Sequence, residues 1–103
     1  MKGEEAVRRL LAGEPDALDG VSAAYTPLLN YVIFAILEDK QEREECLADV
    51  LHQVWLSRER FDPEKGTFTT WLTALARNAA LNRRRAQRRR EAGRAESARR
   101  SRC

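Results

Sequence analysis

The chain has 103 residues, 43% of them hydrophobic, which supports one compact core and excludes two independent ones. Its formal charge of +3 hides a division, because residues 1–64 carry 7 Lys/Arg against 14 Asp/Glu while residues 65–103 carry 12 against 2. An acidic front and a basic back suggest two partners of opposite character, the basic one facing phosphate, with a solvated basic tail as the plainer alternative.

A first short helix is expected over about residues 3–12, ended by Gly13. Glu14-Pro15-Asp16 restarts a helix with proline in its first turn, and Leu18, Val21, Tyr25, Leu28, Leu29, Val32 and Ile36 then recur at helical spacing. Pro27 should kink or briefly break this helix, and Glu38-Asp39-Lys40 marks its end. The run Leu28–Leu37 is interrupted by Asn30 and falls well short of the roughly 20 apolar residues of a membrane span. With no apolar signal core at the charged N-terminus either, the expectation is a cytoplasmic protein without membrane insertion.

The next helix, about residues 41–60, carries the stripe Cys46, Leu47, Val50, Leu51, Val54 and Trp55. Steps of about 100° per residue put Glu45, Asp49, His52, Gln53 and Leu56 on the opposite face. Phe61-Asp62-Pro63-Glu64-Lys65-Gly66 is rich in turn formers, and Thr67 can N-cap a last long helix with Phe68, Trp71, Leu72, Leu75, Ala76 and Ala79 inward. After Leu81 the apolar stripe stops, so the helix should fray into a disordered basic tail. The expected fold is all-α: a compact bundle of about four helices, with a domain over residues 1–90 and a tail over 91–103.

Catalysis finds no footing in these residues. His52 is the sole histidine, no glycine-rich phosphate loop occurs, and Glu42, Glu44, Glu45 and Asp49 lack the ExxH partner of a di-metal site. Cys46 and Cys103 stand too far apart and too isolated for a disulfide scaffold or a zinc site. Neither enzyme activity nor a cofactor or metal is expected. The acidic face reads either as solvated or as a protein-docking surface, with Leu56 at its centre as an incidental exposed leucine or an anchor.

A sharper signal comes from the loop and the last helix. Lys65 and Gly66 precede a helix start flanked by the hydroxyls of Thr67, Thr69 and Thr70 and bracketed by Phe61, Phe68 and Trp71. Arg77, Asn78 and Asn82 follow, then Arg83, Arg84, Arg85, Arg88, Arg89 and Arg90. Cations for a backbone, aromatics near a loop and polar side chains for base edges suit single-stranded DNA. The competing reading is that Phe68 and Trp71 are core and the hydroxyls are caps.

Taken in order, Glu44-Glu45-Cys46-Leu47-Ala48-Asp49-Val50, Val54-Trp55, Phe61-Asp62-Pro63, Gly66-Thr67-Phe68-Thr69-Thr70-Trp71-Leu72, Ala76-Arg77-Asn78 and Asn82-Arg83-Arg84-Arg85 resemble region 2 of bacterial sigma-70 family factors, most closely the extracytoplasmic-function type. The resemblance spans about residues 8–90. It departs in two places: many members carry Asp-Leu-Val-Gln-Glu where this chain has Glu45-Cys46-Leu47-Ala48-Asp49, and the usual Asp before the basic cluster is Asn82. The family's second helical domain, which reads the upstream promoter element, has no counterpart in these residues.

The resemblance implies that the helix matching residues 42–58 docks on the clamp helices of the large subunit of core RNA polymerase, through Glu45, Asp49, His52, Gln53 and Leu56. It further implies that the following segment opens the −10 promoter element and holds its non-template strand. The residues so assigned are Phe61, Asp62, Lys65, Gly66, Thr67, Thr69, Thr70, Arg77, Asn78, Asn82, Arg83, Arg84 and Arg85. An anti-sigma factor is a further partner it allows. The rival readings are a helical DNA-binding regulator of another type, such as a helix-turn-helix repressor, and a protein-interaction module without DNA function.

Overall fold

The helical spacing of the apolar residues becomes four α-helices, α1 (Lys2–Leu11), α2 (Ala17–Phe34), α3 (Lys40–Leu56) and α4 (Phe68–Ser101), with one 3-10 turn, Arg58–Arg60, between the last two. The computed structural model describes the backbone of residues 2–101 and the side chains of residues 4–93. Among the described residues no helix is long and apolar enough to cross a membrane.

Local chemistry sets the helix ends. Gly13 closes α1 at φ +84°, with its N–H bonded to the Leu10 carbonyl at 3.0 Å and the Glu14 N–H to the Arg9 carbonyl at 3.1 Å. Pro15 lies in the turn that follows, where the Ala17 N–H meets the Glu14 carbonyl at 3.1 Å, so α2 starts at Ala17 and not at Glu14-Pro15-Asp16. Nor is α2 interrupted at Pro27, which is exposed. The carbonyl that loses its donor there belongs to Ala23, also exposed, so water can take the missing bond. Asp39 caps α3 by accepting the Glu42 N–H at 3.2 Å, and Thr67 caps α4 by accepting the Thr70 N–H at 3.1 Å.

α1 packs on α2, α2 on both α3 and α4, and α3 on α4. The core is formed by Leu10, Val21, Leu29, Ile33 and Leu37 from the first half, Cys46, Val50 and Val54 from α3, and Phe68, Leu72, Ala76 and Ala80 from α4. Leu47, Leu51, Trp55, Trp71, Leu75 and Ala79 pack against it half-buried. Burial holds the Cys46 thiol above its ordinary pKa, as a neutral core group.

Helix α4 extends to Ser101, past the point near residue 90 where a disordered tail is expected. Residues 83–93 are mostly Arg, Ala, Gln and Glu, strong helix formers that sustain a helix without burying anything. Arg88 to Gly93 are all exposed. Residues 102–103 of that expected tail lie outside the described residues.

Candidate nucleic-acid and protein interface

The loop between the 3-10 turn and α4 is held by its own carboxylate. Asp62 accepts the Glu64 N–H at 2.9 Å on its side chain and the Lys65 N–H at 3.0 Å on its carbonyl, a tight turn that projects Lys65 and Gly66. Beneath it the aromatic rings form a floor. Phe68 lies 5.4 Å from Tyr25, 5.5 Å from Phe61 and 5.5 Å from Trp71, and Phe61 lies 5.5 Å from Trp71. Phe68 is buried, Trp71 and Phe61 only half so; thus Phe68 is core, while Trp71 serves the core and the surface together.

On the α4 side of this loop a cleft of about 220 Å³ opens between Phe61, Lys65, Gly66 and Thr67 on one wall and Thr70, Trp71 and Ala74 on the other. Gly66 leaves its place in the first wall without a side chain. A Cβ there would meet nothing within 4 Å, and its φ is not in the left-handed region, so neither packing nor backbone requires glycine. Thr69 faces the other side of the loop.

The residues of α4 expected on DNA divide among three directions. Thr70, Ala74, Arg77, Leu81, Arg85 and Arg88 follow one another at three- and four-residue steps, a stripe that leads away from the cleft. Asn78 and Asn82 turn toward α3, where they line a groove of about 560 Å³ with Asp49, His52 and Gln53. Arg83 turns to α3. Its Nη1 donates to Glu42 at 2.9 Å and Glu45 at 3.2 Å, and its Nη2 to Asp49 at 2.5 Å. These hydrogen bonds hold its guanidinium protonated still more firmly than usual. Arg90 adds a contact to Glu42 at 3.7 Å. Arg84, Arg85, Arg88 and Arg89 are exposed.

That network also corrects the geometry expected for α3. Glu45, Asp49, His52, Gln53 and Leu56 do not lie opposite the core; Glu45 and Asp49 grip α4, and His52 and Gln53 border it. The set is a flank of α3, extended by helical spacing to Leu56, which is 59% exposed. Among the described residues no group of His, Cys, Asp or Glu is arranged to hold a metal ion.

Three contributors lay beyond the sequence reading. Tyr25 reads as one more apolar position of α2, and only the fold brings it beneath the loop. Ala74 carries no chemistry of its own, although its four-residue step from Thr70 could have placed it in the cleft wall. Arg60 lines the same cleft from the 3-10 turn and supplies a cation at its mouth.

The ECF RNA polymerase sigma factor RpoE of Cereibacter sphaeroides is 37% identical over 41 residues, which is 40% of this chain and 23% of that protein. The match thus spans less than a quarter of that relative's length. No solved structure matches. The model of the sigma-70 region 2 family matches residues 21–90, taking in most of α2, all of α3, the loop with its cleft and the α4 stripe. The chain therefore belongs to the sigma-70 region 2 family.

Proposed function

We propose that this chain is the sigma-factor domain that docks on core RNA polymerase through the flank of α3 and holds the opened non-template strand of the −10 promoter element at the loop, by binding and without catalysis. The observation that carries this reading is the cleft at Phe61, Gly66, Thr70 and Trp71, continuous with an outward stripe that bears Arg77, Arg85 and Arg88. Taking a base out of a duplex costs a few kcal/mol, and stacking on an aromatic side chain returns roughly 1–3 kcal/mol per base. The exposed arginines then attract the backbone in a salt-dependent way. His52, Gln53 and Leu56 remain accessible on the α3 flank for the protein partner, with Leu56 as its apolar anchor.

A salt titration with matched single-stranded and duplex −10 oligonucleotides, with and without core polymerase, tests the DNA half. Preference for the non-template strand over template and duplex is the expected result; a preference for duplex would point to a repressor-like reader instead. The protein half is tested with Leu56→Ala, which should weaken core binding by about 2 kcal/mol, roughly thirtyfold. Parent-like binding by that variant would show the docking face to be elsewhere.

A further inference from the structure

The loop has a second open side. Between it and α1 lies a larger cleft, about 610 Å³, lined by Glu4 and Val7 of α1, Tyr25 of α2, and Phe61, Lys65 and Phe68 among others. Its floor is the other half of the aromatic cluster, with Tyr25 tilted 55° to Phe68 and Phe61 meeting Phe68 edge-on at 85°. Phe61, Lys65, Gly66 and Thr67 are common to both clefts, so the two are separated by little more than one ring and a stretch of backbone. A strand crossing the loop would present neighbouring bases to either side of it.

The polar lining of the two clefts differs. The α4-side cleft has Arg60 and Lys65 against Asp62, whereas the α1-side cleft has Glu4 and Glu64 against Lys65. A net negative wall disfavours a phosphate but accepts hydrogen bonds from an exocyclic amine, as carboxylates do from cytosine N4. Cytosine, adenine and guanine each carry such an amine. Thymine carries none; its one donor, the ring N3–H, is flanked by two carbonyl oxygens that carboxylates repel.

We propose that the α1-side cleft is a second nucleobase subsite, selective for a base with an exocyclic amine over thymine. The proposal rests on the strand-holding reading of the loop and adds to it a role for α1. The aromatic floor supplies stacking, Glu4 and Glu64 supply selection, and the α4-side cleft holds a different nucleotide of the same strand.

The test uses single-stranded deoxythymidine oligonucleotides in which one position at a time is dC or abasic, measured by fluorescence anisotropy with the full chain. One position should show a dC-over-dT preference of about fivefold or more. Glu4→Gln should lower that ratio, Glu4→Gln combined with Glu64→Gln should lower it further, and Val7→Trp, which fills the cleft, should bring it to one. Ala74→Trp, which fills the α4-side cleft, should instead remove the penalty of an abasic site at a different position. Glu4 is exposed, so its variant reports even if Val7→Trp fails to fold. If Glu4→Gln keeps the parental ratio, or no position distinguishes dC from dT while Ala74→Trp still weakens binding, the second subsite is wrong and the first cleft stands. If Ala74→Trp also binds every strand as the parent does, the strand-holding reading fails as well. Loss of core polymerase binding in Glu4→Gln with an unchanged base ratio would make the cleft a protein contact, which equally overturns the proposal.

Discussion

Arg83→Ala separates a structural arginine from a DNA-contacting one. The side chain is 25% exposed and bonds three carboxylates on successive turns of α3. Glu42, at 20% exposure and 2.9 Å, is the best shielded of them, and a charge-assisted bond in that setting contributes about 1–1.5 kcal/mol net. Glu45 and Asp49 are 49% and 61% exposed, so solvent screening cuts each to about 0.3 kcal/mol. Removing the cation also leaves the three acids repelling at three- and four-residue spacing, a few tenths more. The total is about 2 kcal/mol, which for a domain of this size lowers the melting temperature by roughly 8–16 °C.

Thermal unfolding at moderate and high salt measures the loss. A double-mutant cycle with Glu42→Gln should return a coupling near 1 kcal/mol, and one with Asp49→Asn less than half of that. Single-strand binding, measured well below the midpoint, should keep its salt dependence, because this guanidinium is occupied within the protein. A melting temperature within about 2 °C of the parent would refute the clamp. A log–log salt slope flattened by about one unit would return Arg83 to the DNA set.

Other expectations follow from the same contacts. Gly66→Ala should stabilise the chain by about 0.4–1 kcal/mol, since nothing in the fold needs glycine there, while Gly66→Leu should block the loop clefts and weaken single-strand binding at least fivefold; equal binding by Gly66→Leu would remove the loop from the interface. Replacing Arg84, Arg85, Arg88 and Arg89 by Gln should lower affinity for all sequences alike and flatten the single-strand salt slope by about 3 units, and an unchanged slope would leave these arginines without a role. In a Cys103→Ser background, Cys46 should react with thiol reagents only as the chain unfolds. Its folded pKa lies above the unfolded value, so its contribution is intact below that value and is lost as pH rises past about 9; fast labelling of the native state would contradict its burial.

Periodicity made the core legible. The stripes of α3 and α4, the Thr67 cap and the turn chemistry of Asp62-Pro63 all follow from residue type and spacing. The orientation of α3 did not, because a helical wheel fixes angles around one axis and says nothing of which neighbour borders each flank. Arg83 shows how close the missing information was. It sits three residues after Ala80 and seven after Ala76, in register with the buried stripe, and that register continues beyond the last apolar residue. Read by composition it joins the arginine cluster; read by phase it points at α3. The extent of α4 was missed for the opposite reason: absence of apolar anchors speaks to tertiary packing, whereas Arg, Ala, Gln and Glu favour helix locally.

The charge division of the sequence therefore does not map onto two independent surfaces. Of the six arginines between residues 83 and 90, Arg83 and Arg90 reach back to α3, while Arg84, Arg85, Arg88 and Arg89 are exposed. The acidic flank proposed for the polymerase and the basic helix proposed for DNA are joined by the Arg83 network. They also share the groove in which His52 and Gln53 face Asn78 and Asn82. A protein docked on that flank would lie against the asparagine side of α4, one helical face away from Arg77 and the cleft. Docking and strand holding, as proposed, would both bear on one packed pair of helices, and a change in how α3 packs on α4 would alter both at once.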